Sequence, residues 1–361
     1  MRLVALIAAI AAAACAQSSN PQQLFRDAVA AQQHGDDALA VRKYQELLKS
    51  YPDSVEVRAN LGAALSKLGR YDEAIAQYRA VLAKKDNPGL RLNLALAYYK
   101  KSAWREAVEQ LETLRAGQPG DTRAATLLAD CYARLGQDEK AIAVLKPVEA
   151  AQRDDLAVAW LLGSALVRAG HLRDGLDRVD RVARQGNRPE AYLLAGQTAL
   201  KMNEFERARD YAAEAVRLNP KLPGLDTLRG TVLTYLGDTE SAIAALQKAI
   251  AADPNDFDAQ VALGAVLQTE RDLDGARQHL QRALQLKPDS NLARYKWAQL
   301  ERTEGHLEDA VKDFERVVHD NPDWAQPHVE LAALYFRLKR QVDGDRERAT
   351  FDRLTAEQQK P

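Results

Sequence analysis

The chain has 361 residues, of which 46% are hydrophobic and 28% charged, and its 50 Lys and Arg against 51 Asp and Glu leave a net charge of −1. Interspersed charges of both signs argue against nucleic-acid binding, which calls for a basic domain or stripe. A mean hydropathy of −0.41, with no apolar run near the about 20 residues a spanning helix needs, excludes a transmembrane span.

In chain order, the first element is MRLVALIAAIAAAACAQSSN: one basic residue, an apolar run from Leu3 to Ala16, then a short polar linker over 17–20. Such a run reads as an export signal over residues 1–16 and places the mature chain in the periplasm or outside the cell. Two processing routes stay open. Ala14-Cys15-Ala16 fits a small-x-small cut before Gln17, which is the preferred reading. Ala12-Ala13-Ala14-Cys15 resembles a lipoprotein box, with Cys15 lipidated and the protein anchored to an envelope membrane.

From Pro21 to Leu354 the sequence repeats every 33 or 34 residues, with units starting at Pro21, Val55, Pro88, Thr122, Leu156, Pro189, Pro223, Phe257, Asn291 and Ala325, and a polar tail follows over 355–361. Aligned on a small residue at position 20 (Ala40, Ala74 and so on to Gly344), position 8 is also small in all ten units. It reads Ala28, Gly62, Ala95, Ala129, Gly163, Gly196, Gly230, Gly264, Ala298 and Ala332. In the second unit Leu61, Leu65 and Leu68 form one helical stripe, Gly69-Arg70 breaks it, and Ala74, Tyr78 and Val81 begin another. The expectation is two antiparallel helices, A and B, brought close by the small residues. Asp53-Ser54, Asn255-Asp256 and Asp289-Ser290 supply N-caps for the A helices that follow them.

This pattern resembles the tetratricopeptide repeat family, with large apolar residues at 7, 11 and 24 (Leu61, Leu65, Tyr78) and Pro at 32 (Pro52, Pro119, Pro220, Pro254, Pro288, Pro322). The resemblance implies an all-α, right-handed α-solenoid of about ten stacked helix-turn-helix units. A single hairpin of this size exposes too much apolar surface to fold alone, so neighbours stabilise one another. No linker interrupts the register, and one continuous array is expected. Its weakest joint falls in units four and five, where Pro147 interrupts a B helix and Asp177-Arg178-Val179-Asp180-Arg181 makes the next one polar. Asp27 in the first unit and Asp343 to Arg348 in the last read as polar caps of the array.

Nothing in the pattern announces catalysis, a cofactor or a metal. The six histidines (His34, His171, His279, His306, His319, His328) are scattered over different units and read as solvated. Cys131 reads as a small core residue. No phosphate-binding loop or nucleophile elbow is present, and the chain is expected not to be an enzyme. Two known groove chemistries of the family are also missing. The carboxylate clamp survives only as Asn60, Asn93 and Arg123, and an asparagine ladder at position 6 stops after Asn93.

The resemblance implies that A-helix positions 2, 5, 9, 12 and 13 line a concave groove that binds protein or peptide. In units three to six these supply an apolar floor of Leu92, Leu96, Tyr99, Trp160, Val167, Leu193 and Leu200. Position 13 adds Lys67, Lys100, Arg134, Arg168 and Lys201, a basic edge suited to an acidic amphipathic segment. The same cations also suit the carbonyl end of their own helices, an account that needs no ligand. The function expected is a scaffold of the cell envelope; the alternative is an accessory or specificity subunit of an envelope enzyme.

Overall fold

A computed structural model describes residues 20–358, which form twenty α-helices with no strand among the described residues. Residues 1–16, Cys15 included, lie outside them. Residue contacts divide the chain into two compact units, Met1–Arg178 and Val179–Pro361, each treated by itself below.

In the first unit the helices are α1 (Pro21–Gln33), α2 (Asp37–Ser50), α3 (Val55–Lys67), α4 (Tyr71–Leu82), α5 (Pro88–Lys100), α6 (Trp104–Gly117), α7 (Thr122–Arg134), α8 (Asp138–Ala151), α9 (Leu156–Arg168) and the start of α10 (Leu172–Gly186). The second unit completes α10 and adds α11 (Pro189–Lys201), α12 (Phe205–Leu218), α13 (Leu225–Leu236), α14 (Thr239–Ala252), α15 (Phe257–Thr269), α16 (Leu273–Leu286), α17 (Asn291–Glu304), α18 (Leu307–Asp320), α19 (Ala325–Arg337) and α20 (Gln341–Gln358). Within each unit an odd-numbered A helix packs on the B helix after it, that B helix packs on the next A helix, and neighbouring A helices touch. Each unit is thus an α-solenoid of stacked hairpins.

At three of the position-8 glycines the facing side chain is position 24 of the same hairpin, while Gly196 faces Leu228 of the next repeat. A Cβ added at Gly62 would meet the Tyr78 ring at 2.7 Å, one at Gly230 would meet Leu246 at 2.5 Å, and one at Gly264 would meet Leu280 at 2.6 Å. At these three glycines even a methyl would crowd the facing side chain, which fixes the A–B approach. Position 20 faces position 12 in the same way, Gly175 against Val167 and Gly344 against Phe336. Around these contacts Leu61, Leu65 and Tyr78 are fully buried, each contributing about 1.5–3 kcal/mol.

The A helices start where the chain can cap them. Ser54, Asp256 and Ser290 accept the backbone N–H groups of Val57, Ala259 and Ala293, each cap contributing about 1 kcal/mol. Helix α13 is an exception, starting two residues into its repeat because Gly224 turns left-handed at φ 79 behind Pro223. Helix α8 runs from Asp138 to Ala151 with Pro147 inside it. At the far end α20 continues to Gln358, so the polar tail expected from residue 355 begins as helix.

A second device joins the two helices of a hairpin. The side chain at position 4 reaches back to the carbonyl of the proline ahead of its helix and sideways to position 23. Arg58 donates to Pro52 O at 2.9 Å and to Gln77 at 2.8 Å. Arg294 does the same with Pro288 O and Asp313, while Gln260 donates to Pro254 O and accepts from His279 Nδ1 through its amide oxygen. In the last repeat His328 meets Pro322 O at 3.0 Å and Glu347 at 2.7 Å. These contacts correct the reading of the histidines as solvated: His328 is buried and His279 half-buried, because each completes a polar bridge that an apolar side chain would leave open.

Candidate functional site

The six histidines, all described, and the one described cysteine offer no reactive cluster. His171 and His306 sit in turns beside Glu139 and Glu304. Cys131 is fully buried, and burial pushes its thiol up to about 12, so it stays protonated at neutral pH. Among the described residues no three His, Cys, Asp or Glu side chains are placed to hold a metal ion.

The surface that remains is the outer face of the A helices. In the first unit Leu92, Leu96 and Tyr99 lie half-buried along α5, Lys100 ends that helix exposed, and Trp160 is half-buried on α9. Val167 does not belong with them. It is 5% exposed because position 20 of its hairpin is Gly175, and the missing Cβ leaves a gap that the valine fills. In the second unit Leu193 and Leu200 are half-buried on α11 and Lys201 is exposed at its end.

Tyr99 and Arg134 are brought together, with two residues the sequence reading did not single out. The Tyr99 ring meets Trp104 edge-on at 5.0 Å, and the Arg134 guanidinium lies over Trp104 at 4.7 Å and Tyr99 at 5.5 Å. Asp130 accepts from both the Tyr99 hydroxyl and Arg134 Nε, the latter at 2.9 Å. Burial first, and then the Asp130 carboxylate, hold the Tyr99 hydroxyl above its ordinary range. The result is a preorganised cluster of two aromatic rings, a cation and an anion contributed by the A helices α5 and α7 and by the first residue of the B helix α6.

The basic edge is mostly occupied by the protein itself. Lys67 pairs with Asp37 at 3.7 Å and Arg168 with Asp138 at 2.7 Å. Each partner is position 17 of the preceding repeat, the first residue of its B helix. Arg134 over Trp104 uses the same two positions. Position 13 is therefore an inter-repeat clasp first, and the acid at the start of a B helix also favours that end of the helix dipole. Lys100 and Lys201 differ: neither forms an ion pair among the described residues. The signal for this arrangement was present as a spacing of 30 residues between complementary side chains. It is invisible when each position is tabulated alone.

Position 13 changes character in the second unit. In the seventh repeat it is Tyr235, stacked face to face on Phe205, position 17 of the sixth, with centroids 4.6 Å apart and planes within 4°. Further along, Arg302 pairs with Glu330, and Arg277 with Glu304.

Comparison with known proteins follows the same division into repeats. A family model described as tetratricopeptide repeat matches residues 25–89, 161–223 and 227–291, and a second of the same description matches 71–130 and 100–166. Among curated proteins, the chain is 25% identical over 202 residues to "DnaJ homolog subfamily C member 7 homolog" of Schizosaccharomyces pombe, covering 55% of this chain and 39% of that one. It is 32% identical over 169 residues to "Vi polysaccharide export protein VexE" of Salmonella typhi, covering 42% and 26%. With "Cellulose synthase operon protein C" of Pseudomonas fluorescens it shares 30% over 189 residues, 50% and 14% of the two chains. The chain thus spans well under half the length of these relatives. Among solved structures, a tetratricopeptide repeat protein from Parabacteroides merdae aligns at 16% identity over 68% of this chain and 98% of that one, with a TM-score of 0.49.

Proposed function

The chain belongs to the tetratricopeptide repeat family, and on that premise we propose that it is a non-catalytic scaffold of the cell envelope that holds a protein or peptide segment against its A helices. Repeats of this family are protein-interaction modules, and no helix among the described residues is long and apolar enough to cross a membrane. The observation that carries the reading is the face of the first unit: half-buried Leu92, Leu96, Tyr99 and Trp160 beside the exposed, unpaired Lys100. An acidic amphipathic segment would bury its apolar side chains there at about 25 cal/mol per Å², while its carboxylates meet Lys100 and the outward nitrogens of Arg134. Lys67 and Arg168 contribute less, since Asp37 and Asp138 already neutralise them.

The relatives named for polysaccharide export and for a cellulose synthase operon favour an envelope setting, as does the apolar segment from Leu3 to Ala16. They also keep a second reading in view, an accessory subunit of an envelope enzyme complex. Capture of partners by the mature chain, with their identification by mass spectrometry, tests both. Structural envelope components support the first reading and an enzyme supports the second. Trp160→Ala and Lys100→Glu should each weaken capture while the helical melt stays unchanged; equal loss of fold and capture would refute the assignment of the face. The mass of the mature N-terminus separates cleavage after Ala16 from lipidation at Cys15.

A further inference from the structure

The second unit carries a face of different chemistry, and we propose that the surface around Tyr235 binds a neutral glycan chain. This does not rest on the protein-binding reading, which concerns the first unit.

Three observations carry it. The Tyr235 side chain is 60% exposed yet held in place, since Phe205 stacks flat against one side of the ring. Phe205 covers one face, and the other is open to solvent. A rigid aromatic plate of this kind offers large contact area at little cost in side-chain entropy. It suits the flat C–H face of a pyranose.

The plate is bordered by hydrogen-bond acceptors. Thr231 lies on the same side of α13 as Tyr235, four residues before it, and Thr234 directly precedes Tyr235, three residues on from Thr231. Their hydroxyl protons are already donated within the helix, to Thr227 O at 2.9 Å and Gly230 O at 2.8 Å. On α15 the Thr269 hydroxyl donates to Ala265 O at 3.2 Å, and Gln268 donates to Thr303 at 2.9 Å. What these side chains present outward is mainly lone pairs. A ligand matching them must be rich in donors, as a chain of sugar hydroxyls is.

The face is also uncharged. Positions 5, 9, 12 and 13 of α13 and of α15 hold no Asp, Glu, Lys or Arg; at those positions in the flanking repeats, Arg302 is neutralised by Glu330 and Lys201 alone is an exposed cation. A polyanion would find Lys201 as its one counter-charge there, and a nucleic acid, which also stacks on aromatic rings, would leave most of its phosphates unmatched. Charge complementarity selects a neutral chain.

The test uses the full chain in 0.5 M NaCl and titrates cellohexaose, laminarihexaose and chitohexaose by calorimetry. At least one should bind. Tyr235→Ala should weaken that binding tenfold or more, Tyr235→Phe should retain it, and Trp160→Ala in the first unit should leave it unchanged. Circular dichroism melts of the variants should coincide with that of the parent. Absence of binding to all three glycans overturns the proposal, as does an affinity that survives Tyr235→Ala. Binding of an uncharged Ser/Thr-rich peptide in place of all three would assign the face to protein and overturn it equally.

Discussion

Glu301 offers a quantitative test of how the ninth repeat tolerates a misplaced charge. It occupies position 11, where the second and fifth repeats bury Leu65 and Leu166. Its Oε1 accepts from Trp297 Nε1 at 2.9 Å, but its buried Oε2 has no hydrogen-bond partner. Burial, reinforced by Asp313 and Asp309 on the facing helix α18, raises the carboxyl from 4.5 to about 7. A carboxylate whose pKa is raised on folding binds its proton more tightly in the native state, so it destabilises wherever it must be charged. The penalty is absent below the unfolded pKa of 4.5, grows as pH rises, and is complete above about 7. The shift corresponds to about 3.4 kcal/mol at most, and partial solvent access reduces that to about 1–2 kcal/mol. Glu301→Gln removes the charge and keeps the acceptor for Trp297. Thermal melts should therefore show the variant more stable than the parent by about 2–6 °C at pH 8 and nearly equal to it at about pH 4, below the unfolded pKa. Coincident melts at pH 8, or an offset of the same size at both pH values, would refute the reasoning.

Four further outcomes follow from the packing. Gly230→Ala places a methyl 2.5 Å from Leu246 and should destabilise the second unit by about 1–3 kcal/mol in urea unfolding; a neutral result would show that the A–B approach is not fixed there. Glu347→Ala strips His328 of its buried partner and should lower stability by about 1–3 kcal/mol, whereas Arg168→Ala, which breaks a solvent-facing pair with Asp138, should cost under about 1 kcal/mol. Cys131 should resist thiol reagents at pH 8 in the folded chain and react promptly in denaturant, since it is both buried and held protonated.

How much of this was legible in the sequence depended on the distance over which each residue acts. Positions 8 and 20 announce the hairpins because their constraint is steric and local to one repeat: even a methyl would crowd Tyr78, Leu246 or Leu280. The delayed start of α13 was readable from Pro223-Gly224 only with its left-handed φ in hand. Val167 was misplaced on the outer surface since its burial depends on what position 20 lacks, not on what position 12 is. The bridge through His328 pairs residues 19 apart, and the clasps of Lys67 and Arg168 pair residues 30 apart. Both come into contact only once the helices have stacked. A repeat-by-repeat table shows five cations at position 13, while the physical unit is that position together with position 17 of the preceding repeat. The same pairing explains why Tyr235 stands over Phe205.

The central claim is that partners are held on the A-helix face of the first unit, and site-specific photocrosslinking in cells tests it most directly. A crosslinking amino acid at Leu92, on the outer face of α5, should yield a discrete protein adduct. The same amino acid at Arg79, exposed on the B helix α4, should yield none. Adducts from Arg79 alone, or equal adducts from both positions, would contradict the account.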